Sequence, residues 1–133
     1  MKLSHLDHLV LTVADIGATS AFYTRALGMK AVVFGEGRHA LHFGRQKINL
    51  HQAGREFSPR AERPTPGSAD LCFIAAEPIE RVIAHLRDCG VELIEGPVPR
   101  TGAAGAMISV YFRDPDLNLI EVSEYSAPGS GTA

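Results

Sequence analysis

Four positions of this chain carry side chains that could bind a metal ion from within apolar, strand-like runs. They are His8, Asp70, either Asn49 or His51, and Glu121. A neutral imidazole and two carboxylates form a donor set that suits Fe²⁺, Mn²⁺, Ni²⁺, Co²⁺ or Zn²⁺. An ion held in this way could bind two neighbouring substrate oxygens, stabilise an enediolate or alkoxide, or activate water. The residue types therefore predict Lewis-acid chemistry on a small substrate.

Glu121 lies within residues 107–125, which form two apolar runs joined by a polar turn containing Pro115. Proline fixes one φ angle and cannot donate to a ladder, so this segment is predicted to be a β-hairpin. Strand alternation places Glu121 on the face opposite its apolar neighbours. Burying a carboxylate is costly unless a positive group meets it. That group would be a metal ion or an arginine, such as Arg113 or Arg100.

The elements that position these residues form two units, each with a strand, a helix and three strands. The first helix is predicted between the N-cap Asp15 and Gly28, with strands at residues 6–13, 29–34, 40–43 and 47–51. The second is predicted to begin with Pro78 at its first position and to end at Gly90, with strands at residues 69–75, 91–94, 106–112 and 117–125. Residues 53–68 are predicted to be an extended connection. Residues 95–105 are predicted to be a flexible loop, of which residues 100–105 form either a substrate lid or part of an ordinary hairpin connection.

The two units are an internal repeat. A shift of 62 residues, without a gap, places His8 on Asp70 and aligns the helices and their ends. Towards the end of each unit two registers remain open, one that pairs Asn49 with Glu121 and one that pairs His51 with Glu121. Both registers keep Asn49 and His51 on one strand face. If equivalent strands lie opposite each other, the four polar positions could converge on one cavity.

The composition excludes several classes of protein. The formal net charge is -2 and acidic and basic residues are interspersed, so neither nucleic acid nor an anionic membrane is an expected partner. No apolar run of about 18 residues and no signal peptide occurs, which favours a cytoplasmic protein. Cys72 and Cys89 lack the spacing of a metal site and are expected to be small buried side chains. Residues 126–133 are expected to be disordered.

The paired units, with Asp7 and His8 on the first strand and DPDLNLIE at residues 114–121, resemble the vicinal oxygen chelate superfamily. This superfamily includes glyoxalase I, bleomycin and fosfomycin resistance proteins, extradiol dioxygenases and methylmalonyl-CoA epimerase. The resemblance covers about residues 2–125. Three runs are most similar to glyoxalase domain-containing protein 5 and to bacterial virulence proteins of this superfamily: residues 47–51, 96–102 and 111–116.

The resemblance implies an α+β fold in which two tandem βαβββ modules form a glyoxalase-like half-barrel or barrel. The modules would span about residues 4–52 and 69–125, joined by a linker at 53–68, within a single domain of residues 1–125. Many single-chain members pair, so a homodimer is expected, with modules pairing within or between chains.

The resemblance also assigns roles to individual residues. His8 matches the metal-binding histidine of the first strand, and Glu121 matches the glutamate of the last strand. Asp70 stands where many members have a second histidine, so the implied metal ligands are His8, Asp70 and Glu121. Asn49 stands where glyoxalase I has a glutamate and the epimerase a glutamine, and with its neighbour His51 it would bind substrate. Because the four-ligand site with a glutamate base is not reproduced, glyoxalase I activity is not expected.

Two further residues are candidates for the reaction, beside a catalytic Glu121. Arg100 could reach an anionic group of the substrate, and Tyr111 could donate a proton. Each candidate also has a structural interpretation. His8, Asn49 and His51 could make structural hydrogen bonds, Asp70 could end a turn, and Tyr111 could belong to the core or its rim.

Two functions are consistent with this pattern. The first is a divalent-metal-dependent enzyme that acts on a small substrate with adjacent oxygens, by lyase, isomerase, dioxygenase or group-transfer chemistry. The second is a metal-free protein that sequesters a small molecule, as in the bleomycin-resistance branch.

Overall fold

The computed structural model describes residues 1–126, which divide after Ala69 into two compact units. Each unit holds one four-stranded sheet and one helix, in the order strand, helix, strand, strand, strand. The predicted α+β class and the two tandem βαβββ modules are therefore confirmed. Within residues 1–126, neither helix has the length and hydropathy that a membrane span requires.

The first unit contains a helix that packs on one face of a mixed sheet. Its elements are β1 (His8–Val13), α1 (Ile16–Leu27), β2 (Lys30–Phe34), β3 (Arg38–Phe43) and β4 (Gln46–Gln52), and the strand order is β1-β4-β3-β2. Only the β1–β4 pair is parallel within this sheet. Asp15 is the N-cap of α1, as predicted, and its side chain accepts a hydrogen bond from the Ala18 amide at 2.9 Å. Gly28 follows α1 with a φ of 66°, which glycine adopts without strain.

The second unit repeats this plan. Its elements are β5 (Asp70–Ile74), α2 (Ile79–Asp88), β6 (Glu95–Gly102), β7 (Gly105–Arg113) and β8 (Leu119–Tyr125), and the strand order is β5-β8-β7-β6. Helix α2 contacts β7 and β8. Its buried residues Val82 and Leu86 share the core of the chain with Ile120 and Val122 of β8. Burial of these apolar side chains fixes which face of β8 carries Glu121.

The last strand of each unit also caps the helix of that unit. In the first unit the Ile16 amide donates to Gln52 Oε1 of β4 at 3.3 Å. In the second unit Pro78, predicted to be the first helical residue, is instead the N-cap and makes no side-chain cap. The Ile79 amide donates to Glu124 Oε1 of β8 at 2.9 Å. An acceptor distant in sequence therefore satisfies a helix end that its own cap residue leaves open.

The prediction for residues 91–105 is wrong. Residues 91–94 form no strand, and the expected flexible loop is strand β6, joined to β7 by a two-residue turn. Strand β6 contains prolines at positions 97 and 99, which it tolerates because it is the edge strand of its sheet, where a missing amide need not cost a ladder hydrogen bond. A register shift between Glu95 and Val98, with Gly96 at a φ of 107°, accommodates this segment. Arg100 therefore lies on a paired strand and not on a lid.

The structure decides between the two registers of the repeat. In the first sheet Val10 pairs with Asn49, and in the second Cys72 pairs with Glu121. Because the shift of 62 residues places Val10 on Cys72, the counterpart of Glu121 is Asn49 and that of His51 is Ser123. The register that paired His51 with Glu121 is wrong.

The structure also tests three further predictions, on the connection between the units, the cysteines and the C-terminal residues. Residues 53–68 contain no helix or strand, as expected of a connection. The cysteines are free, but the expectation that both are buried is wrong, since Cys72 is exposed and Cys89 is half-buried. Cys72 lies on the face of β5 opposite its neighbours Leu71 and Phe73, which are less exposed. Of the expected disordered tail, Ser126 is described and its amide donates to the Ala106 carbonyl, whereas residues 127–133 lie outside the described residues.

Candidate functional site

A cavity of about 420 Å³ opens on the sheet of the second unit. Its lining combines carboxylates, guanidinium groups and a phenol with two apolar side chains: Asp70, Glu95, Glu121, Arg100, Arg113, Tyr111, Ile94 and Leu119. All four strands of the sheet contribute to this lining, and Ile94 directly precedes β6. The cavity can therefore present both charge signs and a hydrogen-bond donor to a small polar ligand.

Strand register brings two of the three predicted metal ligands to this cavity. Asp70 begins β5 beside Leu119, and Glu121 lies one alternation further along β8, on the same face. Ile120 and Val122 occupy the buried face of β8, as the alternation predicted. The structure thus places Asp70 and Glu121 on one polar surface of the second unit.

Within residues 1–126, Glu121 has uncharged hydrogen-bonding partners and no cationic one. Its Oε2 accepts one long hydrogen bond, of 3.3 Å, from the Ser123 hydroxyl. No Lys, Arg or His of residues 1–126 forms an ion pair with it, so the expected alternative of an ion pair with Arg100 or Arg113 is not found. A half-buried carboxylate whose partners in the described residues are all uncharged is suited to a positive group.

A cluster of hydroxyl and thiol groups lies next to Glu121. The Ser123 hydroxyl lies 2.6 Å from the Ser109 hydroxyl and 3.3 Å from Cys72 Sγ. Ser109 and Ser123 are fully buried. Although Cys72 as a residue is exposed, partial desolvation of its thiol group raises its pKa, the charge of Glu121 adds to this shift, and the bond to Ser123 opposes it. The thiol beside Glu121 therefore stays protonated and adds no negative charge.

Arg100 is held by neighbouring groups on the cavity wall. Its Nε donates to the Tyr111 hydroxyl at 2.8 Å, its Nη2 to Glu95 Oε2 at 2.6 Å, and its Nη1 to the Pro99 carbonyl at 2.9 Å. Guanidinium has five N–H donors, so two remain for another ligand. These contacts fix both the cation and the phenol on the cavity wall.

Tyr111 is the cross-strand partner of Glu121. Desolvation by burial raises the pKa of Tyr111, the hydrogen bond from Arg100 opposes this shift, and the charge of Glu121 adds to it. The net direction is upward, so the hydroxyl is protonated at neutral pH. Because this oxygen already accepts from Arg100, its own proton is available to Glu121 or to a bound ligand.

His8 begins β1 in the first unit and is oriented by the preceding residue. Its side chain is 43% exposed, and its Nδ1 lies 2.7 Å from Asp7 Oδ2. The hydrogen bond to His8 is the largest of the effects that lower the pKa of Asp7. A carboxylate on Nδ1 fixes the tautomer so that Nε2 is the nitrogen able to bind a ligand, as in many metal-binding histidines.

Asn49 and His51 occupy the face of β4 opposite the core residues Ile48 and Leu50. His51 is 7% exposed, and its ring lies 5.5 Å from that of Phe57. Burial lowers the pKa of His51, and the charge of Arg38 acts in the same direction. The ring is therefore neutral at pH 7.

The predicted metal ligands do not form a ready-made cluster. Among residues 1–126 no three His, Cys, Asp or Glu side chains are grouped so that they could hold a metal ion. Asp70 and Glu121 share one cavity, whereas His8 belongs to the first unit. The set of His8, Asp70 and Glu121 therefore stays a prediction.

Sequence reasoning missed two charged residues of the cavity. Glu95 was missed because residues 95–105 were predicted to be a loop, and without a strand register the face on which Glu95 lies could not be predicted. Arg113 was considered only as an ion-pair partner of Glu121, although it ends β7 beside the cavity. The apolar alternation of residues 106–112, extended by one residue, would have placed Arg113 on the same face as Tyr111.

Comparison with known proteins identifies the family. The model of the Glyoxalase/Bleomycin resistance protein/Dioxygenase superfamily matches residues 5–122, and the chain belongs to this superfamily. This confirms the resemblance that the sequence motifs indicated.

Individual relatives are similar over most of the chain. Virulence protein STM3117 of Salmonella typhimurium is 57% identical over 125 residues, which cover 94% of this chain and 87% of that protein. Glyoxalase domain-containing protein RDO1 of Mycosarcoma maydis is 55% identical, with coverage of 94% and 70%. The solved structure of an integron cassette protein from Vibrio cholerae is 64% identical with a TM-score of 0.93, and covers 95% of this chain and 98% of that one.

Proposed function

We propose that this protein is a divalent-metal-dependent enzyme in which His8, Asp70 and Glu121 bind one ion. The observation that carries the proposal is Glu121, a half-buried carboxylate in a cavity without a cationic partner among residues 1–126. The Asp7–His8 hydrogen bond supports it, since this bond directs Nε2 to a ligand. One imidazole and two carboxylates fit Fe²⁺, Mn²⁺, Ni²⁺, Co²⁺ or Zn²⁺.

When bound, the ion would act as a Lewis acid that holds adjacent oxygens of a small substrate and stabilises charge developing on them. Tyr111 keeps its proton at neutral pH and donates it to the substrate from the cavity wall. Arg100 holds the Tyr111 hydroxyl in place and directs its two remaining N–H donors to an anionic substrate group. Glu121 would take up a substrate proton where the reaction requires a base. Lyase, isomerase, dioxygenase and group-transfer chemistry all fit these roles.

The proposal includes a small-molecule substrate, a homodimer and a cytoplasmic location. Size-exclusion chromatography with light scattering tests the dimer, and cell fractionation tests the location. Neither nucleic acid nor a membrane is a proposed partner, because the charges are interspersed and the net charge is -2.

Titration of metal-stripped protein with Mn²⁺, followed by the electron paramagnetic resonance signal of free Mn²⁺, tests the ligand set. The parent should bind about one ion per chain, and Asp70→Asn and Glu121→Gln should each weaken binding by at least about tenfold. Glu36→Gln, in an exposed turn of the first unit, is the control and should bind as the parent does. Equal binding by all four proteins would contradict the assignment.

A second candidate function is metal-free sequestration of a small molecule. The absence of a three-ligand group among residues 1–126 favours it. It predicts that no divalent ion binds the parent in this titration. It also predicts that removal of the Glu121 carboxylate changes the unfolding free energy of the protein. The small molecule should bind equally well with and without a divalent ion.

A further inference from the structure

Arg113, the last residue of β7, is a cation of the cavity without an ion-pair partner. Its side chain lines the cavity, and no Asp or Glu of residues 1–126 forms an ion pair with it. The other arginine of the cavity, Arg100, is paired with Glu95 at 2.6 Å. A guanidinium presents five N–H donors, and within the described residues Arg113 donates only to the Leu117 carbonyl, at 3.3 Å. Most of its hydrogen-bonding capacity is therefore available to a ligand.

The turn after β7 holds this guanidinium in place. Leu117 has a φ of 68°, a left-handed conformation that residues with a side chain rarely adopt. Its amide donates to the Asp114 carbonyl at 2.9 Å, and its own carbonyl accepts from Arg113. Strained backbone of this kind persists only where the surrounding structure fixes it, and it is concentrated at functional sites. The turn therefore orients Arg113 in the wall of the cavity.

Strand register places Arg113 near the two carboxylates of the proposed metal site. Its partner on β8 is Leu119, which in turn pairs with Asp70 of β5. Glu121 is the next residue of β8 on the same face, so it is a diagonal neighbour of Arg113. Diagonal neighbours of an antiparallel pair are about 7–8 Å apart, within reach of a long side chain. A ligand of a few carbon atoms can therefore extend from Arg113 to these carboxylates within the second unit.

The formal charges of the cavity leave Arg113 unbalanced once a divalent ion is bound. Arg100 and Glu95 neutralise each other. Asp70 and Glu121 together carry two negative charges, which a divalent ion would balance. The charge that remains is the single positive charge of Arg113. A charge that loses part of its water needs an opposite charge, so the loaded cavity favours a ligand with an anionic group away from the ion.

We propose that Arg113 binds a carboxylate of the substrate, separate from the adjacent oxygens that the metal ion holds. A carboxylate is planar and singly charged, so it matches both the guanidinium fork and the remaining charge. A phosphate group would bring a second negative charge towards Glu121. Arg113 supplies the selecting charge, because Glu95 already neutralises Arg100. This inference rests on the proposed function, and it defines the substrate class as small acids whose carboxylate lies a few carbon atoms from two adjacent oxygens.

The test compares two chelating probes that differ by one carboxylate. Butanohydroxamate and 4-(hydroxyamino)-4-oxobutanoate both present adjacent oxygens to a metal ion, and the second has a carboxylate in place of the terminal methyl group. Calorimetric titration of the Mn²⁺-loaded protein gives the ratio of their dissociation constants. The parent should bind the carboxylate probe at least about tenfold more tightly. In Arg113→Met this ratio should fall by about tenfold or more, while the affinity for butanohydroxamate is retained.

Two further variants separate charge from geometry and from general effects. Arg113→Lys keeps the charge but loses the planar fork, so it should recover part of the ratio. Arg45→Met, in an exposed turn of the first unit, is the matched control and should keep the ratio of the parent.

Three outcomes would overturn the role of Arg113: a parent that does not prefer the carboxylate probe, a ratio that Arg113→Met leaves unchanged, or binding of neither probe to the Mn²⁺-loaded protein. Failure of the protein to bind Mn²⁺ would instead overturn the proposed function. Titration of both probes into the metal-free parent and Arg113→Met, followed by nuclear magnetic resonance, would then still decide the role of Arg113. An unchanged ratio would again overturn it.

Discussion

The turn that precedes β8 is held by one buried carboxylate. Asp114 is 3% exposed, and its Oδ1 accepts from the amides of Asp116 and Asn118 at 2.9 and 3.0 Å. Its Oδ2 accepts from Asn118 Nδ2 at 2.8 Å, and Asn118 is 1% exposed. Because β8 starts at the next residue, this turn sets the register that places Glu121 in the cavity.

The cost of removing this carboxylate follows from these three bonds. A hydrogen bond to a charged group contributes about 1.5–3 kcal/mol, and a buried donor left unsatisfied costs about 1–3 kcal/mol. Since such contributions are not additive, Asp114→Ala should lose about 3–5 kcal/mol of unfolding free energy. For a chain of this length the thermal midpoint should fall by about 10–20 °C.

Exchanging the residue types at positions 114 and 118 isolates the contribution of the hydrogen bond between their two side chains. In Asp114→Asn the retained Oδ1 still accepts both backbone amides, but two amide groups then face each other as donors. This variant should lose about 2–3 kcal/mol. Adding Asn118→Asp restores an acceptor opposite the new donor, so the double variant should recover at least half of that loss.

Urea unfolding followed by circular dichroism measures all of these variants. Glu36→Ala, which removes an exposed carboxylate from another turn, is the control and should change stability by less than about 0.5 kcal/mol. If Asp114→Asn is as stable as this control, or if the double variant is no more stable than the sum of the single changes, the role assigned to the Asp114 carboxylate is refuted.

Two further predictions concern a helix cap and a buried histidine. Glu124→Ala should lose about 1 kcal/mol in urea unfolding, because the Ile79 amide at the start of α2 loses its acceptor, and Glu124→Gln should recover most of this loss. An unchanged Glu124→Ala would contradict the cap. The pKa of His51 is lowered from 6.5 in the folded state. Just below pH 6.5 the unfolded chain therefore binds more protons than the folded chain, and the unfolding free energy decreases as the pH is lowered. His51→Phe should flatten this fall in thermal melts between pH 7.5 and 5, and identical pH profiles for the parent and the variant would refute it.

Local patterns predicted the elements whose signals lie close together in the chain. Asp15 and Gly28 bracket α1 because a capping side chain and a left-handed glycine act within one helical turn. The alternation around Glu121 gave its face correctly, since apolar burial determines which side of β8 meets the core. Local patterns predicted the order of elements in both units, and the internal repeat agreed with that order.

Features that depend on distant partners were not predictable in this way. Strand β6 contains two prolines and is a strand only because β7 pairs with one of its edges. The acceptor for the start of α2 is Glu124, 45 residues away. For the candidate site, sequence indicated the residue types of Asp70, Glu121 and Tyr111, but the pairing of Arg100 with Glu95 became visible only with the fold.

The central claim is that His8 and Glu121 are ligands of one divalent ion. The measurement that tests it most directly is metal content by inductively coupled plasma mass spectrometry, on untagged protein purified without chelator, beside His8→Ala and Glu121→Ala. The account predicts near-stoichiometric metal in the parent and a loss of most of it in both variants, which stay folded by circular dichroism. A parent without metal, even after incubation with Fe²⁺, Mn²⁺, Ni²⁺, Co²⁺ and Zn²⁺, or variants that keep the metal of the parent, would contradict it.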